Sequence, residues 1–270
     1  MNITFIGGGN MATALIGGLL KGGLYVPEEL CVVEVSDEAC AKLKRQFDIR
    51  ATTNLPHGLL GSGIIVLAIK PQQLREACAQ LAPLLGTQLI VSIAAGIRAQ
   101  DIARWLATQN IVRCMPNTPA LIQSGVTGLY ARPQVSVAHK EIAEKILTAV
   151  GSTVWLQDEE MLDGVTAISG SGPAYVFYFI EAMQQAAREL GFNDADAKRL
   201  VIDTFLGAAK LADASEDDVS VLRARVTSKN GTTERALLSM EQNQVKQHII
   251  TAAKAAAVRS KEMGDELGGA

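Results

Sequence analysis

An open, doubly wound α/β sheet followed by an all-helical domain is the fold this sequence predicts, with the boundary at residue 160. Three observations predict it. Short apolar runs alternate with helical stretches through residues 1–160. The run GIIVLA at 63–68 is apolar almost throughout, as expected of a parallel strand covered on both faces. Over residues 161–270 no strand pattern is found, only helical periodicity. Repeated βα units joined by right-handed crossovers give the first part its doubly wound form.

The first strand starts at residue 2, with Ile3, Phe5 and Ile6 as its apolar side chains. Gly7-x-Gly9-x-x-Ala12 follows and opens a helix over 10–21. That spacing is the phosphate-binding fingerprint of dinucleotide folds of the Rossmann type, with Ala in the permitted third position. One glycine makes the tight turn, the next lets backbone approach a pyrophosphate, and the small third residue lets helix and strand pack closely. The helix then points unpaired N–H groups and its positive dipole end at the phosphates. A plain strand–turn–helix would share this pattern, and flavin or a methyl donor would fit it as well as a nicotinamide dinucleotide.

A β-rich run at 30–35 and a helix at 37–47 form the second unit, and the strand at 63–68 begins the third. Pro71 opens the next helix at the position proline favours. A buried strand at 89–93 leads through Ala94-Ala95-Gly96 into a helix ending near Trp105. The strand at 111–114 runs into Met115-Pro116-Asn117-Thr118-Pro119, and a strand at 126–130, a helix at 136–150 and a strand at 153–156 close this half. In the second half Pro173 sits just inside a helix that reaches Leu190, and Gly191 stops it. Its opening AYVFYFI is apolar all round, so it is expected to be buried centrally. So few helical residues cannot hide it alone, which implies cover from another subunit and a homo-oligomer. Further helices are predicted over 194–213, 216–225, 233–241 and 245–266.

Composition narrows the partners. The chain has 270 residues, 25 basic and 28 acidic, for a net charge of −3. Charges are well mixed, with no basic stripe for nucleic acid. No apolar run approaches the ~20 residues a membrane span needs. A strand beginning at residue 2 leaves no room for a signal peptide. Cys31, Cys40, Cys78 and Cys114 lack metal spacing and lie in apolar patterns, so they are expected to be reduced core thiols of a cytoplasmic protein. His57, His139 and His248 form no cluster with them, and no metal site is expected.

Ligands of a doubly wound sheet bind beyond the carboxyl ends of its strands. Four loops fall there: 7–12, 68–71, 94–96 and 115–119. The cofactor-binding candidates are therefore Gly7, Gly8, Gly9, Asn10, Met11, Ser36, Asn54, Ala68, Ile69, Lys70, Pro71, Ala94, Ala95, Gly96 and Asn117. Lys70-Pro71 also fits an ordinary helix start, and Asn117-Thr118 ordinary turn chemistry, but their convergence on one sheet edge favours a ligand. Glu34 lies 22 residues beyond Ala12, near the ~20 expected for a carboxylate on ribose hydroxyls. Ser36 suits a hydroxyl or a 2′-phosphate, and Asp37 adds a second carboxylate, so the charges lean towards NADH. The segment VTSKNGTT at 226–233 offers hydroxyls and a new helix N-terminus for a small carboxylate. A capped helix–loop–helix connection describes it equally well.

At this point the chain resembles the pyrroline-5-carboxylate reductase family over essentially its full length. The matching pieces are GGGNMA at 7–12, AIKPQ at 68–72, VSIAAGI at 91–97, RCMPNTPALI at 113–122, SGSGPAYVF at 169–177, and VTSKNGTT at 226–233 followed by ERAL. The resemblance implies reduction of (S)-1-pyrroline-5-carboxylate to L-proline with NADPH or NADH. It implies a nucleotide-binding domain over 1–160 and a substrate-binding, dimerisation domain over 161–270, assembled as a dimer or a ring of dimers with shared active sites. By position, Ser228 and the amides of Gly231, Thr232 and Thr233 would hold the substrate carboxylate. The Thr233 hydroxyl would meet the ring nitrogen, and Glu216 would lie near the imine. The family often has Pro-Gly or Lys-Gly where Lys229-Asn230 stands here, and many relatives have an uncharged or basic residue in place of Asp37.

Two rival functions fit the same plan. A β-hydroxyacid dehydrogenase would carry a catalytic lysine and an asparagine on the first long helix of the helical domain, and GPAYVFYFIEAMQQAARELG has neither. A regulator that binds dinucleotide without turnover would have no need of the intact loop at 226–233.

Overall fold

The computed structural model describes residues 1–269, which form two compact units. The first is Met1–Ser171 together with the chain from Ala255 onward, and the second is Gly172–Lys254. The first unit carries an eight-stranded sheet. Its strands are β1 (Asn2–Ile6), β2 (Leu30–Val33), β3 (Arg50–Thr52), β4 (Ser62–Leu67), β5 (Leu89–Ser92), β6 (Ile111–Met115), β7 (Gly125–Ala131) and β8 (Gly151–Trp155). They lie in the order β3-β2-β1-β4-β5-β6-β7-β8. The switch from leftward to rightward growth falls between β1 and β4, the place where such sheets open a ligand crevice.

Burial on both faces explains why the strands read as continuous apolar runs. Ile64 and Val66 belong to a core with Leu15, Ile16 and Leu19 of α1 (Asn10–Lys21), Leu43 of α2 (Asp37–Phe47) and Ile146 of α6 (Val137–Thr148). Their neighbours Ile65 and Leu67 face the other way. They pack with Leu74 and Cys78 of α4 (Pro71–Leu81) and Ile102 of α5 (Ala99–Leu106). Alternate side chains of one strand thus serve two helical layers.

The sheet departs from a simple chain of βα units at β7, which runs antiparallel to β6. Only residues 116–124 join the two strands, fewer than the dozen or more that a parallel crossover needs, so the chain must reverse. Strand β3 and the single turn α3 (Leu55–Gly58) also went unread in the sequence. A three-residue Arg-Ala-Thr strand is too short to show a period.

After β8 come α7 (Met161–Val165) and one wider, π-type turn at Thr166–Gly170. The second unit holds α8 (Gly172–Glu189), α9 (Asp194–Asp213), α10 (Val219–Arg225) and α11 (Thr232–Gln242). The last helix, α12 (Val245–Gly268), starts in this unit. Its later turns are tied to the first: Arg98 pairs with Asp265 at 2.6 Å, Ser260 Oγ donates to Asp163 at 2.6 Å, and Arg104 donates to the Gly268 carbonyl at 2.7 Å. Helical periodicity assigns all of 161–270 to one domain, because it carries no information about such long-range ties.

Helix α8 is not buried within the chain. Phe177 is 65 % and Tyr178 72 % exposed, and Ala187 is its one fully buried residue. The expectation of central burial therefore fails for the single chain and leaves an apolar helix face open. No helix of the described residues is long and apolar enough to cross a membrane.

Candidate functional site

Parallel register brings the predicted loops to one edge of the sheet. Ile6 pairs with Val33 and Leu67, Leu67 with Ser92, and Ser92 with Arg113. The strands β2, β1, β4 and β5 consequently end side by side, with β6 running on beside them to Met115. The segments after them are 34–36, 7–9, 68–70 and 93–96, with 116–119 after β6, which are the segments that hold most of the cofactor candidates. Asn54 joins them from the end of β3.

The glycine turn has the conformation its residues predict. Gly7 has φ +95°, and a Cβ there would lie 2.7 Å from both the Ala68 carbonyl oxygen and Ile69 Cγ2. Its amide donates to the Val33 carbonyl at 2.9 Å, and the Ala68 amide donates to Ile6 at 2.9 Å, so the turn is stitched to both neighbouring strands. Gly9 caps α1 in extended conformation, and Asn10 and Met11 begin the helix. The first amides of a helix have no carbonyl before them. A Cβ on Gly9 would meet nothing within 4 Å, so backbone and free amides face open space. These residues fit a pyrophosphate.

Several candidates already have work within the protein. Ser36 Oγ accepts from the Ala39 amide at 3.2 Å and caps α2, while Asn54 Oδ1 accepts from His57 at 2.9 Å and caps α3. Each keeps a donor: the Ser36 hydroxyl proton and the Asn54 carboxamide NH2. Lys70 is exposed at the N-cap of α4, and Pro71 is its first residue. Ala94 and Gly96 are buried, with Gly96 at φ +79°. Asn117 is buried and bridges two segments: its Oδ1 accepts from the Val126 amide at 2.9 Å and its Nδ2 donates to the Ser169 carbonyl at 3.2 Å. Its side chain thus fixes the loop at 116–119 in place. Arg113, the first residue of the RCMPNTP stretch, is buried and paired with Glu159 at 2.9 Å.

In the second unit the loop at 226–231 joins α10 to α11. Thr227 Oγ1 donates to the Arg223 carbonyl at 2.6 Å, continuing α10 by a turn. The Gly231 amide donates back to the Ser228 carbonyl at 3.0 Å, and the Asn230 amide donates to Glu234 Oε2 at 2.7 Å. Asn230 has φ +60°, a conformation asparagine tolerates better than other residues with a side chain, so it stands where a glycine would serve. Gly231 is the N-cap of α11, and Thr232 and Thr233 are its first two residues. Their amides are the orphan donors of a helix start, whereas that of Gly231 is already engaged. Ser228 is exposed and Thr233 half-buried. Asp217 pairs with Arg225 and Asp218 caps α10 through the Ser220 amide at 2.8 Å. The exposed Glu216 is thereby held near the start of the same loop.

No local pattern in the sequence links Gly8 with Glu34, yet Glu34 Oε1 accepts from the Gly8 amide at 2.5 Å. Nor does one signal the Asn117–Ser169 bond, which joins residues 52 apart in the chain. Among the described residues, no three or more His, Cys, Asp or Glu side chains group as a metal site.

The glycine turn at the switch point, the open helix N-terminus and the helical second unit define a nicotinamide-dinucleotide oxidoreductase. A family model described as NADP oxidoreductase coenzyme F420-dependent matches residues 2–96, and one described as pyrroline-5-carboxylate reductase dimerisation matches residues 159–263. The chain belongs to the pyrroline-5-carboxylate reductase family. It is 45 % identical to the pyrroline-5-carboxylate reductase of Pseudomonas aeruginosa over 98 % of each chain. The structure of a pyrroline-5-carboxylate reductase from Coxiella burnetii matches with a TM-score of 0.91 at 40 % identity, covering 97 % of this chain and 98 % of that one. The Plasmodium falciparum enzyme, solved with NADP bound, matches with a TM-score of 0.88 at 29 % identity over 98 % of each chain.

Proposed function

We propose that the chain reduces (S)-1-pyrroline-5-carboxylate to L-proline, the last step of proline biosynthesis, with NADH or NADPH. The observation that carries this reading is full-length likeness to reductases of that name together with an intact loop at 226–233. A bound nicotinamide dinucleotide would supply a hydride to the C=N carbon of the ring. Gly7, Gly8, Gly9, Asn10 and Met11 shape and line the phosphate site. The segments at 68–71 and 94–96 flank it, and Asn117 holds the neighbouring loop. Residues 1–160 carry this binding, and 161–270 carry substrate binding and dimerisation.

The substrate carboxylate suits the Ser228 hydroxyl and the free amides of Thr232 and Thr233, with Gly231 closing the turn beneath them. The Thr233 hydroxyl oxygen accepts from the N–H of the protonated imine, and Glu216 favours that protonated form by charge. A protonated imine is already electrophilic, so orientation and one hydrogen bond at nitrogen supply much of the catalysis. The exposed face of α8 is covered in a homodimer or a ring of dimers. The setting is cytoplasmic, consistent with four free, buried cysteines.

Turnover of pyrroline-5-carboxylate with NADH and NADPH, measured side by side, tests the activity. Thr233→Ala should lower kcat/KM by roughly 10- to 1000-fold with folding intact. Near-normal turnover in that variant would remove Thr233 from the mechanism.

A further inference from the structure

The last turns of α12 lie against the loop that follows β5. Ser260, Gly264 and Gly268, spaced by four, are the buried residues of the helix and share one face. A Cβ on Gly264 would lie 2.8 Å from the Gly96 carbonyl oxygen, and one on Gly96 would lie 3.5 Å from the Gly264 amide nitrogen. The two backbones are therefore in direct contact. Beside that contact Asp265 pairs with Arg98 at 2.6 Å, and Leu267 packs against the cluster that holds Ala94, Ile97 and Ile102.

The loop has little else to fix it. The Ile93 amide donates to the Leu67 carbonyl at 3.1 Å and the Ala94 amide to Ser92 Oγ at 3.4 Å. Among the described residues, the next amide with an acceptor is that of Ala99, which donates to Glu159 at 2.6 Å. Gly96, at φ +79°, has no side chain to restrict its backbone. What packs on 95–98 therefore sets where these residues lie, and that is α12.

Their position bears on the ligand. In a site of this fingerprint the pyrophosphate meets the start of α1 and the adenosine ribose the end of β2. The order β2-β1-β4-β5 puts β5 on the far side of β1 from β2, which leaves the nicotinamide half for the loops after β4 and β5. Hydride transfer is sensitive to placement there, since a shift of about 1 Å can cost about 10²-fold in rate.

We propose that the end of α12 is a positioning element for the nicotinamide half of the dinucleotide. Gly264, by admitting the Gly96 carbonyl, and Asp265, through Arg98, hold the loop at 94–98 in the place that half requires. Gly264→Ala would force the Gly96 backbone away without altering an atom that touches the ligand. This role rests on the reading of residues 1–160 as a dinucleotide site, and it is independent of which imine is reduced.

The test is calorimetric titration of the full-length protein, without substrate, with NADH against ADP-ribose and with NADPH against 2′-phospho-ADP-ribose. The ADP-ribose probes keep the adenosine and the pyrophosphate and lack the nicotinamide. Gly264→Ala should weaken the dinucleotide that the wild type prefers by roughly tenfold, and its ADP-ribose counterpart by less than about twofold. In Gly268→Ala the added Cβ would meet Asp101 Oδ2 instead of the loop; that variant should melt earlier and leave the ratio of the two dissociation constants unchanged. Equal weakening of dinucleotide and ADP-ribose in Gly264→Ala would overturn the proposal, and so would a ratio within about threefold of wild type. An equal shift of the ratio in Gly268→Ala would overturn it too. If Gly264→Ala does not fold, Asp265→Ala decides, because it removes a part-exposed pair that contributes little to stability. It should move the ratio by about threefold, and a change below about 1.5-fold would overturn the proposal. A wild type that binds neither dinucleotide would refute the reading of residues 1–160 and the proposal with it, whereas failure to turn over pyrroline-5-carboxylate would leave these titrations interpretable.

Discussion

Removing Glu159 should destabilise the first unit by more than a surface substitution could. Glu159 lies between β8 and α7, and its Oε1 accepts from Arg113 Nη1 at 2.9 Å and from the Ala99 amide at 2.6 Å. The Arg113 side chain is only 6 % exposed and that of Glu159 19 %. Breaking a buried pair by deleting one partner costs about 3–5 kcal/mol, because the other charge stays buried without compensation. Here a cleft of about 1010 Å³, lined by Arg98, Arg113, Glu159 and Lys261 among others, lets water reach the edge of the pair. That lowers the expected loss for Glu159→Ala to about 2–4 kcal/mol. Glu159→Gln keeps an acceptor for Ala99 and should lose roughly half as much. At ~2–4 °C per kcal/mol, a 3 kcal/mol loss shifts Tm by about 6–12 °C. The assay is thermal unfolding at fixed protein concentration and scan rate, since assembly makes Tm concentration-dependent. A double-mutant cycle with Arg113→Met should give a coupling of about 1.5 kcal/mol or more. A Glu159→Ala protein melting within about 2 °C of wild type, or strict additivity in the cycle, would refute this account of the pair.

Asn117→Ala removes both bonds of the bridge and leaves the Val126 amide without its acceptor, so Tm should fall by about 4–8 °C, the effect of about 2 kcal/mol; an unchanged melting curve would mean the bridge carries no stability. Burial pushes the Cys78 thiol up to about 12 and raises Cys114 further, and it raises Cys31 and Cys40 as well. All four should therefore stay protonated and resist Ellman's reagent at pH 8 in the native protein, then react after denaturation; stoichiometric reaction of the native protein would contradict the buried placement. Because Phe177 and Tyr178 lie open on α8, the protein should sediment as a dimer or larger at micromolar concentration, and an active monomer there would show that this face needs no cover.

What the sequence could and could not disclose follows the range of the interactions. Helices α2 and α9 are legible to the residue because their caps are local: Ser36 and Asn193 each accept from an amide three residues on. The parallel strands are legible because burial on both faces leaves a continuous apolar run. The direction of β7 is not, since the short link after Met115 matters only once β6 is known to be its neighbour. Gly7, Gly9 and the edge loops could be assigned because the fingerprint encodes backbone geometry directly. Asn117 lies in the loop at 115–119 that the sequence marks as ligand-facing, yet its side chain meets Val126 and Ser169. A motif marks that a segment matters and says little about which side chains touch the ligand.

The loop at 226–233 sharpens that point. Four groups there could contribute amides to a carboxylate, and the sequence cannot rank them. The fold does: Asn230 and Gly231 give their amides to Glu234 and Ser228, and those of Thr232 and Thr233 remain. The left-handed Asn230 and the Gly231–Ser228 bond close a turn that holds the Ser228 hydroxyl beside the start of α11. Substituting Asn230 by a β-branched residue would oppose that backbone conformation, and it would act on the proposed anion site without removing any of the atoms assigned to the ligand. In that proposal much of the loop's chemistry resides in residues that need never touch substrate. Lys229-Asn230 in place of a Pro-Gly or Lys-Gly pair is compatible with the same site because asparagine supplies the one conformation the turn demands.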